Sequence, residues 1–215
     1  MYIPKANEET RMPVLHALML SHPLATLVTY GSAGLFASHL PVVLDDQVAP
    51  LGLLKCHVSR ANAQWKDFSH EVQALAIFAG PEHYISPNWY EEKQKTGKVV
   101  PTWNYAVVHA YGYLNVVEDA EWLRAHVGSL TAIHEAASAS TTGVAPWAVS
   151  DAPADYIASQ IRGIVGFEMK IERLEGKWKV SQNRSESDRR GVVDGLDALE
   201  TAEADAMSRL VEDTL

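Results

Sequence analysis

The feature that most restricts the fold is a succession of short β-rich runs, each stopped by turn residues. LATLVTY and LFASHLPVVL meet at Gly31-Ser32-Ala33-Gly34, and LGLLKCHV follows the acidic pair Asp45-Asp46. VQALAIFAG, TWNYAVVHAYGYLNVVE and IVGFEMKIERL come later. Such spacing reads as antiparallel strands joined by tight turns. Glu175-Gly176-Lys177 reads as the turn of a closing hairpin into WKVSQN. An open sheet of six or seven strands exposes unpaired edges, whereas a barrel removes them, so a closed or partly closed barrel is expected.

Helical patterns flank these strands. Asn7 serves as a candidate N-cap for a helix carrying Val14, Leu15, Leu18 and Met19, and Asp119 as one for EWLRAHVGSLTAIHEAA. SRANAQWKDF has the length of a two-turn helix, SPNWYEEKQKTGK reads as a surface loop, and the acidic stretch 197–215 reads as a surface helix. No repeat or linker divides the chain, and 215 residues that are 47% hydrophobic supply one sizeable core, so a single domain over 1–215 with helical appendages is expected. No apolar run reaches the roughly 20 residues of a membrane span. The N-terminal residues lack a signal pattern and Cys56 has no internal partner, which together give the cytoplasm as the expected compartment. A net charge of −9 argues against duplex DNA bound by bulk electrostatics.

Four polar clusters stand out. His57, Ser59, Arg60 and Asn62 lie where a strand gives way to a helix, a position that suits a phosphate, although Ser and Asn serve equally as ordinary caps. Trp103, Asn104, Tyr105 and His109 crowd one strand-like run. They suit a planar aromatic ligand, or else an aromatic core strand. Lys177, Lys179, Gln182, Asn183, Arg184, Arg189 and Arg190 form a basic island, fitted to an anion or merely balancing Ser185-Glu186-Ser187-Asp188. The fourth is a scatter of histidines, including His39, His57, His83 and His109, without metal-ligand spacing. Cys56 and His57 point to opposite faces of a strand and make no nucleophile pair, and no dinucleotide, P-loop or nucleophile-elbow motif occurs.

Taken in order, MYIP, SHLPVVL, HVSRANAQW, IFAGPEHYISPNWY, VVPTWNYAVVHAYG, QIRGIVGFEMKIERLEGKWKVSQNRS and DRRGVV resemble the PaiB family, described as FMN-binding negative transcriptional regulators related to the flavin-binding split barrels. The resemblance spans nearly the whole chain. It implies a mainly β fold with flanking helices (β+α), a six-stranded split β-barrel, and a homodimer with two FMN sites at the subunit interface. Related pyridoxamine-phosphate oxidases hold the FMN phosphate with a Ser-Arg-Lys motif; this chain offers Ser59 and Arg60 but Ala61 in the third place. His39 and Leu40 match in position a strand beside the flavin ring. Trp103, Asn104 and Tyr105 would border the pocket, with His109 further along and Gln182, Asn183 and Arg184 as further contacts.

Two charge-assisted bonds of roughly 1.5–3 kcal/mol each fall short of the roughly 8 kcal/mol of micromolar binding. Burying about 200 Å² of ring at about 25 cal/mol per Å² adds roughly 5 kcal/mol before ordering costs, so the ring must be buried too. Three other readings share these residues: an FMN-dependent oxidoreductase acting on a small molecule, a haem-binding split barrel, and direct DNA binding through the basic island.

Overall fold

The computed structural model describes residues 1–215. The chain forms two compact units woven from alternating segments: Met1–Leu18, Ala79–His109 and Glu175–Leu215 make one, Met19–Phe78 and Ala110–Leu174 the other.

The second unit begins with strands β2 (Leu24–Gly31) and β3 (Gly34–Pro41), numbered after a two-residue strand β1 (Glu8–Glu9). Their hairpin runs in register from Leu24↔Pro41 to Gly31↔Gly34. Gly34 adopts φ +100°, which only glycine takes without strain, so the turn read at 31–34 is where the sequence puts it. Strands β4 (Val43–Asp45), β5 (Leu53–Ser59), β8 (Leu114–Val117) and β9 (Ile164–Lys170) form an antiparallel sheet in the order β4-β5-β9-β8. Leu54, Cys56 and Val58 alternate inward along β5 and meet Val165, Phe167 and Met169 of β9 in register. Leu27, Val42, Ala76 and Leu114 share that apolar interior, where the remaining space is only about 10 Å³. A core filled this tightly leaves no room for a ligand inside.

Two helices cover the outside of this sheet. α3 (Ala120–Thr142) starts at Asp119, whose carboxylate accepts the Trp122 N–H at 2.7 Å, and ends at Gly143 in the left-handed region. α4 (Ala154–Arg162) buries Ile157 and Ile161 against Leu123 of α3.

In the first unit the strand order is β1-β10-β7-β6, with β6 (Ala74–Ile85) belonging to it from Ala79, β7 (Thr102–Gly112) up to His109, and β10 (Arg173–Lys179) from Glu175. The expected hairpin at 175–177 does not form. Gly176 lies inside β10, paired with Glu9 of β1, and its missing side chain leaves room for Leu15. β9 pairs with β5 and β8 instead. The first helix, α1 (Met12–Ser21), begins five residues after Asn7, which ends a 3-10 turn. Pro13, lacking an N–H, belongs in a first helical turn, and the Glu9 carboxylate takes the Arg11 N–H at 2.8 Å.

The presumed loop 86–98 is partly helical, with a 3-10 turn at Pro87–Trp89 and α2 at Glu92–Thr96. The presumed two-turn helix after Ser59 is only a 3-10 turn, Ala63–Trp65. The surface helix expected over 197–215 is a helical pair, α5 (Glu186–Asp197) and α6 (Ala202–Glu212). Val192, Val193 and Leu196 of α5 and Ala204, Met207 and Val211 of α6 bury with Ile85, Tyr90 and Val180. Gly191 and Gly195 are one turn apart, and a Cβ on either would strike Trp89. The tail is thus core-forming, and no helix is long and apolar enough to cross a membrane.

Candidate functional site

In the second unit, the end of β5 and the C-terminal turn of α4 enclose an open hollow of about 480 Å³. It is lined by Leu40, His57, Ser59 and Asn62 on one side and Ser159, Gln160 and Ile164 on the other. Leu40, His57, Ser59 and Asn62 are therefore brought together as the sequence suggested. Asn62 donates to Ser38 Oγ at 3.1 Å and accepts the Gln64 N–H at 2.8 Å, so it caps the 3-10 turn while standing at the hollow's edge. Ser59 Oγ accepts the Ala61 N–H at 3.3 Å, which leaves its hydroxyl proton to give. Ser159 and Gln160 were not anticipated. They sit in a helix that pattern alone marks only as amphipathic, and no local motif flags them.

His39 is not part of this wall. Strand alternation turns it to the opposite face from Leu40, where Nδ1 meets Thr26 Oγ1 at 2.9 Å. Arg60 is also absent from the lining. Its guanidinium donates to the carbonyls of Arg162 at 3.0 Å and Ile164 at 3.2 Å, meets the Glu118 carboxylate at 2.5 Å, and lies over Trp65. The planar fork thus pins the start of β9 and the approach to α3 to the end of β5, rather than waiting for a phosphate. Arg60→Lys keeps the charge but loses the fork. It is expected to lower the melting temperature by about 2–8 °C, as losing about 1–2 kcal/mol does in a chain of this size, while an unchanged melting curve would refute the pinning role.

In the first unit, alternation along β7 divides the expected aromatic cluster. Asn104 is buried, 1% exposed, and donates to Ser181 Oγ at 3.0 Å, whereas Trp103, Tyr105 and His109 lie on the other face. Asn104 therefore holds the turn after β10, where Ser181 takes φ +64°, a conformation that needs such support in a residue other than glycine. Trp103 is 53% exposed, and Tyr84 meets it edge-on. Lys179 donates to Thr102 Oγ1 and to the Trp103 carbonyl, while Lys177 sits 5.1 Å from the Tyr105 ring. Partial burial lowers the Lys179 pKa, opposed by Tyr105 and aided by the neighbouring charges of Lys177 and Arg184. Arg184 lies over Tyr90. Gln182 braces the backbone, accepting from Val180 N–H and donating to the Ala6 carbonyl, and Asn183 is exposed. Arg189 donates to the Thr214 carbonyl and Arg190 pairs with Glu186 at 2.7 Å on the surface, so both arginines at the C-terminal end of the basic island have partners within the chain.

Behind the hollow, His57 Nδ1 meets His126 Nε2 of α3 at 3.1 Å. Trp122 stacks on His126 and donates to Glu168 at 2.7 Å. Burial, helped by His57 and Lys55, pushes the His126 pKa down to about 4, and burial lowers that of His57. Sequence reading passed over His126, although Trp122, Leu123 and His126 share one helical face. Cys56 is buried with its thiol pushed up to about 12, as an inert core residue.

Residues 1–173 match the family model described as "Putative FMN-binding domain". The chain belongs to this PaiB-type FMN-binding family. FMN is the cofactor for which the family is defined. The family relative PAI 2, the protease synthase and sporulation protein of Bacillus subtilis, is 32% identical over 100% of this chain and 98% of its own. An uncharacterized protein of Aspergillus fumigatus is 34% identical over 99% of this chain and 97% of its own. Among solved structures, the FAD and heme binding protein from Mycobacterium smegmatis aligns at 12% identity with a TM-score of 0.54, covering 80% of this chain and 73% of that one. That likeness is one of fold, the mixed β and α split-barrel class of this PaiB-type chain.

Proposed function

We propose that the protein binds FMN as a homodimer, with the hollow of Leu40, His57, Ser59 and Asn62 in one copy facing the cationic and aromatic surface of Trp103, Tyr105, Lys177, Lys179 and Arg184 in the other. The observation that carries this reading is a complementary deficit. The hollow supplies a neutral wall of hydroxyl, amide and imidazole groups but no cation, and it receives the C-terminal end of α4, whose partial negative charge repels a phosphate. The β7–β10 surface has the cations and the flat rings. A flavin needs both: donors and acceptors for its pyrimidine edge, apolar or aromatic contact for its ring, and positive charge for its phosphate. A hollow of this size lies within the range of cofactor sites. Bound FMN would supply hydride and electron transfer.

A regulatory role fits the flavin better than it fits direct contact with duplex DNA. The net charge of −9, together with Arg189 bonded to the Thr214 carbonyl and Arg190 balanced by Glu186 in a surface pair, leaves little unopposed positive charge for phosphate neutralisation.

Titration with FMN tests the reading, with flavin fluorescence and sedimentation read together. Asn62→Ala and Lys179→Ala are each expected to weaken binding by about tenfold or more, as loss of one hydrogen bond to a charged or polar group does. Unfolded and refolded as a mixture, the two variants should regain about a quarter of the wild-type flavin capacity, because only mixed dimers of a two-fold assembly carry one intact site. Wild-type protein that stays monomeric and colourless would end the proposal.

A further inference from the structure

The His57–His126 pair can be accounted for proton by proton. Burial keeps both rings neutral at physiological pH, so two protons are shared among four nitrogens. One proton occupies the bond between His57 Nδ1 and His126 Nε2. The other must then sit on an outer nitrogen, either His126 Nδ1 or His57 Nε2.

These two sites are not equivalent. His126 is 4% exposed, and its Nδ1 has no hydrogen-bond partner. A proton placed there would be a buried, orphaned N–H, a rarer and costlier state than an under-used acceptor. The cavity of about 310 Å³ that His126 lines is also lined by Lys55, by Asp45, with which it pairs at 2.9 Å, and by Asp46. Of these charges it is Lys55 that acts on the ring, opposing further protonation there. His57 Nε2 belongs to a ring that lines the hollow, where a ligand or water can receive its proton.

We infer that His126 is a positioning residue that donates from Nε2 to His57 Nδ1 and so fixes His57 as the Nε2–H tautomer, presenting a hydrogen-bond donor to the hollow. The hollow then selects for groups carrying a lone pair at that point, such as the carbonyl oxygen or bare ring nitrogen of a heteroaromatic edge, and against N–H groups. The ligand half of this inference rests on the proposed FMN site, and the tautomer half does not.

The test is nitrogen NMR on histidine-labelled full-length protein near neutral pH, with His57 signals assigned by His57→Gln. Wild type should show His57 protonated at Nε2 and accepting at Nδ1. His126→Phe, which keeps a flat ring, should release His57 into a mixture of tautomers and weaken FMN binding roughly threefold to tenfold, the range of one hydrogen bond. His126→Gln, whose amide can still donate, should restore both. A wild-type His57 protonated at Nδ1, or a tautomer unmoved in folded His126→Phe, overturns the inference. Should His126→Phe fail to fold, the wild-type tautomer decides alone. The expected tautomer in a protein that binds no FMN would uphold the positioning role and reject the flavin site.

Discussion

Lowering the pH from 7 towards 4 is expected to remove about 3 kcal/mol of folding stability through His126. In the unfolded chain this histidine titrates at the ordinary 6.5, and in the fold at about 4. Between those values the unfolded state binds the additional proton, so stability is complete above 6.5 and declines as the pH falls through the window. His57, lowered by burial, adds loss of the same sign. Around the pair, the ammonium of Lys55 opposes further positive charge on His126, and the Glu168 carboxylate accepts the Trp122 indole N–H. Carboxylates held low, such as Glu9 beside Arg11, lose their contribution only below 4.5, so the upper part of the window belongs to the histidines. Urea unfolding at successive pH values should give a steep wild-type dependence between 6.5 and 5, flattened by about one proton in His126→Phe. Parallel slopes for the two proteins would show that His126 is not buried neutral.

The parts of this structure that sequence made visible are those built from neighbours. The GSAG turn, the opposite facing of Cys56 and His57 on β5, and the Asp119 cap each depend on residues within one or two turns of chain. Asn62 likewise proves to cap its turn. What stayed hidden depends on distant partners. Arg60 reads as a phosphate ligand from its motif, but its acceptors on Glu118, Arg162 and Ile164 lie 58 to 104 residues away. Gly176 looks like a hairpin turn because tight turns favour glycine, and only Leu15 packed against it reveals a strand interior. The tail looked like surface because its apolar residues are sparse, yet Gly191 and Gly195 let Trp89 approach and make those few sufficient. Alternation alone separates Asn104 from Trp103 and Tyr105, and His39 from Leu40.

Gly166 sets the second large expectation, because it joins the packing of α3 to the hollow. It faces His57 across β5 and Val117 across β8, and the Trp122 ring lies directly on its backbone. A Cβ at this position would stand 2.3 Å from Trp122 Cζ3, with Cη2 and Cε3 within 3.0 Å. No rotation of an alanine relieves that overlap, and Trp122 is held by its stacking on His126 and at its nitrogen by Glu168. Gly166→Ala must therefore shift the indole, and with it the imidazole that holds His57. The expected cost is about 2–3 kcal/mol from overpacking, seen as a fall in melting temperature of about 4–12 °C. His57 should also lose its single tautomer, a change that a purely local clash would not produce. Trp122→Leu removes the atoms that collide, so in that background the same alanine should cost about 1 kcal/mol or less, a coupling well outside ordinary additivity. Equal costs in the two backgrounds would mean that the indole does not rest on Gly166, and the link from α3 through His126 to the hollow would lose its foundation.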